Sequence, residues 1–246
     1  MNCQLAMPLR AGAIVLAAGL STLSAQSLMN RVTYTHLKPD MVTEWVDLQK
    51  NEIVPALKKA GVKGRVVYSS GLFGTSYEYV TITPMENFAA FDAGNPITKA
   101  LGAEASARLA AKLSKCTASA QSFQSTRMAD ISYPDPDTPW PQILLSTRVR
   151  VAPGKMPEFE SIMKTDLLPA YKKAKVYYTA NQRGFGANSN DVTITVGYAK
   201  YADIDAGTPM VKALGAEGAA KLLAKFAGVV TLIEQVVRSR QADLSF

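Results

Sequence analysis

The chain writes much of its own plan twice. Residues 41–60 read MVTEWVDLQKNEIVPALKKA and residues 155–174 read KMPEFESIMKTDLLPAYKKA, so Glu44 meets Glu158, Trp45 meets Phe159, Lys50 meets Lys164 and Pro55 meets Pro169. Val80-Thr-Ile-Thr83 recurs as Val192-Thr-Ile-Thr195, and DAGNPITKALGAE at 92–104 recurs as DAGTPMVKALGAE at 205–217. Arg127 and Ala129-Asp130 return as Arg240 and Ala242-Asp243. The order is kept and the offset drifts only between 112 and 114 residues. A fold unit repeated in tandem follows, and such self-similarity constrains the fold more than any local propensity. We read the units as residues 26–131 and 142–246, joined by residues 132–141. Four prolines in those ten residues remove backbone donors and favour extended conformations, so the joint reads as a stiff linker rather than a recognition ligand.

Each unit reads as strand, helix, strand, strand, helix, strand. Residues 32–37 and 143–151 are alternating, β-branched runs ended by Pro39-Asp40 and Pro153-Gly154. Apolar residues at helical spacing follow, with Pro55 and Pro169 late in each helix, where a kink or a tighter last turn is expected. Strand pairs at 65–70 with 78–83 and at 176–181 with 191–196 flank Gly71-Leu-Phe-Gly74 and Gly184-Phe-Gly-Ala187. The long identical stretch has a local cause. Asn95 and Thr208 are good N-caps, Pro96 and Pro209 suit the first helical position, and Gly102 and Gly215 suit a break after a short first segment.

The N-terminus differs from the rest. Arg10, an apolar stretch and small residues up to Ala25 have the form of a secretory signal peptide over residues 1–25, with Met7 an alternative start. The stretch is shorter than the ~20 residues of a spanning helix, so no stable membrane span is expected once it is removed. A periplasmic or secreted location follows. Removal takes Cys3 and leaves Cys116, whose partner position in the other unit is Val229; this reads as a small buried hydrophobe. The formal charge of +7 is scattered, without a basic stripe or motif, which argues against nucleic acid. One histidine and two cysteines argue against a zinc site. No metal or other cofactor is expected.

An element order of βαββαβ is that of the ferredoxin-like unit. Two such units resemble the dimeric α+β barrel superfamily, which includes antibiotic-biosynthesis-type monooxygenases, NIPSNAP-like proteins and related stress-response barrels. The resemblance implies an α+β fold in which the two repeats form, within one chain, the barrel that relatives build as homodimers. It also implies a pocket between sheet and helices in each half, often holding a hydrophobic or aromatic molecule. Some members oxidise substrates without a cofactor and others bind haem, with the axial histidine elsewhere in the unit than His36.

Candidate site residues gather on the first strand of each unit. His36 is in phase with Tyr34, and its repeat partner Arg150 is in phase with Arg148. A histidine can serve as acid, base or ligand near neutral pH, and an arginine pair can hold a carboxylate. These four residues either line a ligand site or simply the barrel rim. Glu44 and Glu158 read as first-turn carboxylates. Tyr77, Tyr79, Tyr177 and Tyr178 gather on the middle strands and suit an aromatic ligand or a half-buried sheet. No Ser-His-Asp arrangement, phosphate loop or dinucleotide fingerprint is visible in the sequence. The expected function is binding of a small apolar or anionic molecule; the alternatives are a cofactor-independent monooxygenase or isomerase and a structural assembly module. Further oligomerisation stays open.

Overall fold

A computed structural model describes residues 29–133 and 138–246; the expected leader at 1–25 and the centre of the proline-rich stretch lie outside the described residues. The first half runs β1 (Met29–Leu37), α1 (Val42–Leu48), α2 (Val54–Lys59), β2 (Val66–Phe73), β3 (Glu78–Met85), α3 (Pro96–Leu101), α4 (Ala103–Cys116) and β4 (Thr117–Arg127). The second runs β5 (Ile143–Val151), α5 (Met156–Ile162), α6 (Leu168–Lys173), β6 (Tyr178–Arg183), β7 (Asp191–Tyr198), α7 (Ala202–Asp205), α8 (Pro209–Ala224) and β8 (Val230–Arg240). The fold is a mixed α+β one. Its eight strands close into an antiparallel barrel in the order β1-β3-β2-β8-β5-β7-β6-β4. The two halves of the sheet meet at two short seams, β2 with β8 and β4 with β6. Four antiparallel steps separate β1 from β5, so the two run parallel and their last residues open on the same mouth.

Alternate residues of a strand face opposite sides. On the outer side, Trp45, Leu48 and Ile53 pack against Leu37, Val67, Leu109 and Cys116. Phe159, Met163, Leu167 and Tyr171 pack against Val151, Tyr178, Val192 and Leu222. Phe159 and Met163 are fully buried, as are Val67 and Cys116. Among the described residues, both helix–sheet spaces hold a packed apolar core, and a cavity lies inside the barrel instead.

The helix breaks differ from expectation. Before each late proline lies one π turn, at Gln49–Ile53 and Met163–Leu167, rather than a tighter turn. Val54 N–H donates to the Gln49 carbonyl and Leu168 N–H to the Met163 carbonyl, both five residues back. Pro55 and Pro169 have no N–H and would press on the carbonyl four residues earlier in an α-helix. One inserted residue relieves that contact while keeping the helix running. The caps behave as the sequence implies: the Asn95 and Thr208 side chains accept from Ile97 and Val211 N–H, and Gly102 and Gly215 have positive φ.

The repeated Val-Thr-Ile-Thr strings do not occupy equivalent places. Tyr34 lies opposite Val80 and Val32 opposite Ile82, whereas Arg148 lies opposite Thr193 and Ser146 opposite Thr195. The matching letters are one residue out of register, which exchanges the faces of the strand. Val80 and Ile82 line the barrel interior; Val192 and Ile194 face the helices, and Thr193 and Thr195 line the interior instead. The barrel lining is thus apolar on the β3 side and hydroxyl-bearing on the β7 side.

Candidate functional site

β1 aims Tyr34 and His36 into the barrel, with β3 and β4 on either side. His36 faces Glu78 across one ladder and Ser119 across the other. Its Nε2 lies 3.0 Å from Glu78 Oε2 and its Nδ1 3.3 Å from Ser119 Oγ. Glu78 is buried, and its second oxygen accepts from Ser70 Oγ at 3.0 Å and from Arg238 Nη1 of β8. A carboxylate taken from water needs such partners, and here they come from both halves of the chain.

At the corresponding place on β5 the chemistry changes. Arg150 donates to buried Asp191 from Nε at 2.7 Å and from Nη2 at 3.2 Å. This bidentate pairing raises the Arg150 pKa. Arg148 Nε sits 3.3 Å from Asp191 Oδ2, an ion-pair distance without hydrogen-bond geometry, and its Nη1 lies 3.6 Å from Glu234.

Between these two groups lies Tyr34. The Arg238 guanidinium sits 5.1 Å from its ring centre and that of Arg183 5.4 Å, while Arg183 also lies 4.4 Å over Phe123. Arg183 Nη2 donates to Tyr34 Oη at 3.2 Å and Nε to Thr193 Oγ1 at 3.1 Å. Arg183 is only 5% exposed, yet no carboxylate among the described residues forms an ion pair with it. Burial holds its pKa below the ordinary value, partly offset by Tyr34, Glu234 and Asp191. Aromatic faces stabilise a guanidinium by about 0.5–2 kcal/mol each, less than the cost of burying an uncompensated charge.

Further into the barrel is a cavity of about 60 Å³. Tyr34, Tyr68, Phe123 and Trp140 give it aromatic walls, Thr179, Thr193 and Thr195 give it hydroxyls, and Arg238 gives it a charge. Drug-sized ligands occupy roughly 300–1,000 Å³. This space suits a few waters or a molecule of three or four heavy atoms. The open hollow beside Asp40, Glu44, Asp47 and Glu52 is a surface feature that runs along α1 and the turns on either side of it.

Of the four residues singled out in the sequence, Arg148 and Arg150 share Asp191, while His36 is engaged separately by Glu78. Tyr34 reaches the second group only through Arg183. The tyrosines do not gather. Tyr79 lies tilted against Trp45 beneath the helices, Tyr178 stacks on Tyr171, Tyr177 lies against Trp140, and Tyr77 is exposed. Glu78, Asp191, Arg183, Arg238 and Ser119 were not singled out in the sequence. The signal available for Glu78 and Asp191 was their place at the start of β3 and β7, opposite the two first strands. The linker does more than join: Trp140 forms part of the cavity wall and Tyr68 Oη donates to the Pro141 carbonyl at 2.7 Å.

No protein-family model matches the chain, and no curated protein matches it. Solved structures do. A proposed monooxygenase from Lactobacillus acidophilus superposes with a TM-score of 0.56 at 13% identity, covering 88% of this chain and 94% of that one. An anthrone oxidase-like protein gives 0.53 at 10% identity, with coverages of 87% and 91%. A variant chlorite dismutase from Candidatus Nitrospira defluvii gives 0.53 at 9%, with 89% and 94%. At these identities the likeness is one of fold alone: these proteins share the α+β barrel.

Proposed function

We propose that the protein is a binding barrel for a small anionic molecule, built from two tandem ferredoxin-like repeats and exported behind the leader at 1–25. The carrying observation is Arg183, a buried guanidinium between Phe123 and Tyr34 that forms no ion pair among the described residues. The mouth as a whole holds Arg148, Arg150, Arg183 and Arg238 against Glu78, Asp191 and Glu234. One small anion would bring those charges to balance. Arg183 does not line the cavity itself but holds Tyr34, which does, and the cavity volume limits an anion bound there, beside Arg238, to the size of formate or acetate.

Calorimetric titration with formate, acetate and benzoate tests the reading, alongside native mass spectrometry of protein purified from its own host. Formate or acetate is expected to bind and benzoate to bind at least tenfold more weakly. Arg183→Met is expected to lower affinity at least tenfold, the worth of about 1.4 kcal/mol. Absence of heat with every carboxylate, together with nothing small co-purifying, sinks the proposal. The oxygenase reading draws support from the aromatic walls and the fold likeness, but a tricyclic anthrone is far larger than the cavity. Dioxygen uptake with an anthrone is therefore expected to stay at the buffer rate.

A further inference from the structure

The binding reading leaves Ser119 unused. Three adjacent strands, β4, β1 and β3, carry Ser119, His36 and Glu78 at facing register positions. Serine Oγ lies 3.3 Å from one ring nitrogen of His36, and the other ring nitrogen lies 3.0 Å from Glu78 Oε2. Ser119 is exposed, His36 is partly exposed and Glu78 is buried, which is the gradient a nucleophile, its base and the group that orients the base require. Glu78 is itself held by Ser70 and Arg238, so its aim at His36 does not depend on solvent.

We propose that Ser119 is an activated nucleophile with His36 as its base, and that the pair takes acyl groups from aryl esters. With Nε2–H donating to Glu78, Nδ1 is free to accept. Ser119 Oγ adds to the ester carbonyl while its proton passes to Nδ1. The tetrahedral adduct collapses with loss of the aryl oxygen, which takes that proton from His36 and leaves as the phenol. Water then attacks the acyl-serine, giving one proton to His36, and the serine oxygen recovers it as the carboxylic acid departs. Atoms balance as ester plus water to acid plus phenol. Aryl esters are the fitting class because a phenoxide leaves with little assistance, and the exposed Tyr77 stands at the same end of β1 as His36, its carbonyl accepting the Leu37 N–H at 3.0 Å.

The second half supplies an internal control. Its ladder puts Thr231 opposite Arg150, so a hydroxyl stands there without an imidazole. The test uses the full protein, an aryl fluorophosphonate probe and peptide mass spectrometry. Labelling is expected on Ser119 alone, with Ser122 and Thr231 unmodified, and p-nitrophenyl acetate should show an acyl-enzyme burst. Ser119→Ala is expected to abolish both, and His36→Gln to slow labelling by about 100-fold or more. Glu78 acts through His36 as a positioning residue. Glu78→Gln should slow labelling, and Glu78→Asp, which keeps a carboxylate for His36, should recover part of the rate. A merely structural Glu78 would leave the two variants alike. Labelling that is absent, or spread over several serines and indifferent to His36→Gln, overturns the proposal.

Discussion

Single residues show most sharply where the two halves part company. Arg65 is 4% exposed, and among the described residues its Nε and Nη1 have no hydrogen-bond partner. Its Nη2 donates to Gln49 Oε1 at 2.6 Å and, more weakly, to Thr81 Oγ1 at 3.5 Å. Burial pushes its pKa down to about 10. The corresponding place in the second half holds Tyr178, whose hydroxyl meets Met163 Sδ at 3.4 Å, with Met163 in the place of Gln49. A buried charge without a counter-ion disfavours folding while the group stays protonated. For a base with a lowered folded pKa, that penalty is complete below pH 10 and shrinks as pH climbs toward the unfolded value. At pH 7 it is in full force. The double variant Arg65→Met with Gln49→Met, which removes the charge as the second half does with Tyr178 and Met163, is expected to gain about 1–4 kcal/mol in urea unfolding. A loss of stability at pH 7 would show that an unseen partner satisfies Arg65. Cys116, fully buried and with its pKa raised by that burial, is expected to resist a soluble disulfide reagent until the protein unfolds. Period-two alternation is local, which is why Tyr34, His36, Arg148 and Arg150 could be placed on one strand face from sequence. Glu78 and Arg238 could not be joined that way, since 160 residues separate them and only barrel closure brings them together.

At the scale of elements, the seams between halves depend on two glycines. Gly74, after β2, has φ of 135°, and a Cβ there would fall 2.4 Å from Val236 Cγ1 on β8. Gly186, after β6, has φ of 89°, and a Cβ would fall 2.4 Å from the Ser122 carbonyl on β4. Each hairpin tip thus crosses onto the other half at a distance that only glycine permits. A side-chain methyl can rotate away, but a strand carbonyl held in its ladder cannot. Gly186→Ala is therefore expected to cost about 1–3 kcal/mol, and more than Gly74→Ala, by urea denaturation. Equal and negligible losses would mean that the tips do not seal the seams. The element order and both prolines in the first helices were legible in the sequence. The π turns were not, because a proline announces a missing N–H without saying whether the helix will kink, stop or take up one extra residue. The Val-Thr-Ile-Thr match misled for a related reason: identity of letters carries no register, and register is set by the neighbouring strand.

For the whole molecule, the question is whether the halves are separate folding units. Each half buries its helices against the outer face of its own strands, and that much could be local. The inner face is shared. Glu78 of one half pairs with Arg238 of the other, and Tyr34 of one receives Arg183 of the other. Splitting the barrel would leave two buried guanidiniums and a buried carboxylate facing water without their partners, together with the edges of β2, β4, β6 and β8. The folded state should therefore be lost in one step. Two tryptophans allow a direct test: Trp45 lies in the core of the first half, and Trp140 lies between Tyr68 of the first half and Tyr177 of the second. Trp45→Phe is conservative, since Phe159 fills the equivalent place, and Trp140→Phe keeps an aromatic wall. In the two single-tryptophan proteins, urea midpoints by fluorescence are expected to coincide with each other after correction for any shared shift in circular dichroism. An earlier transition at Trp45 would mean that the first half melts alone, with the barrel interior contributing little to cohesion. One midpoint for both would mean that the two halves unfold as one cooperative body, held across the seams and the charged interior that they share.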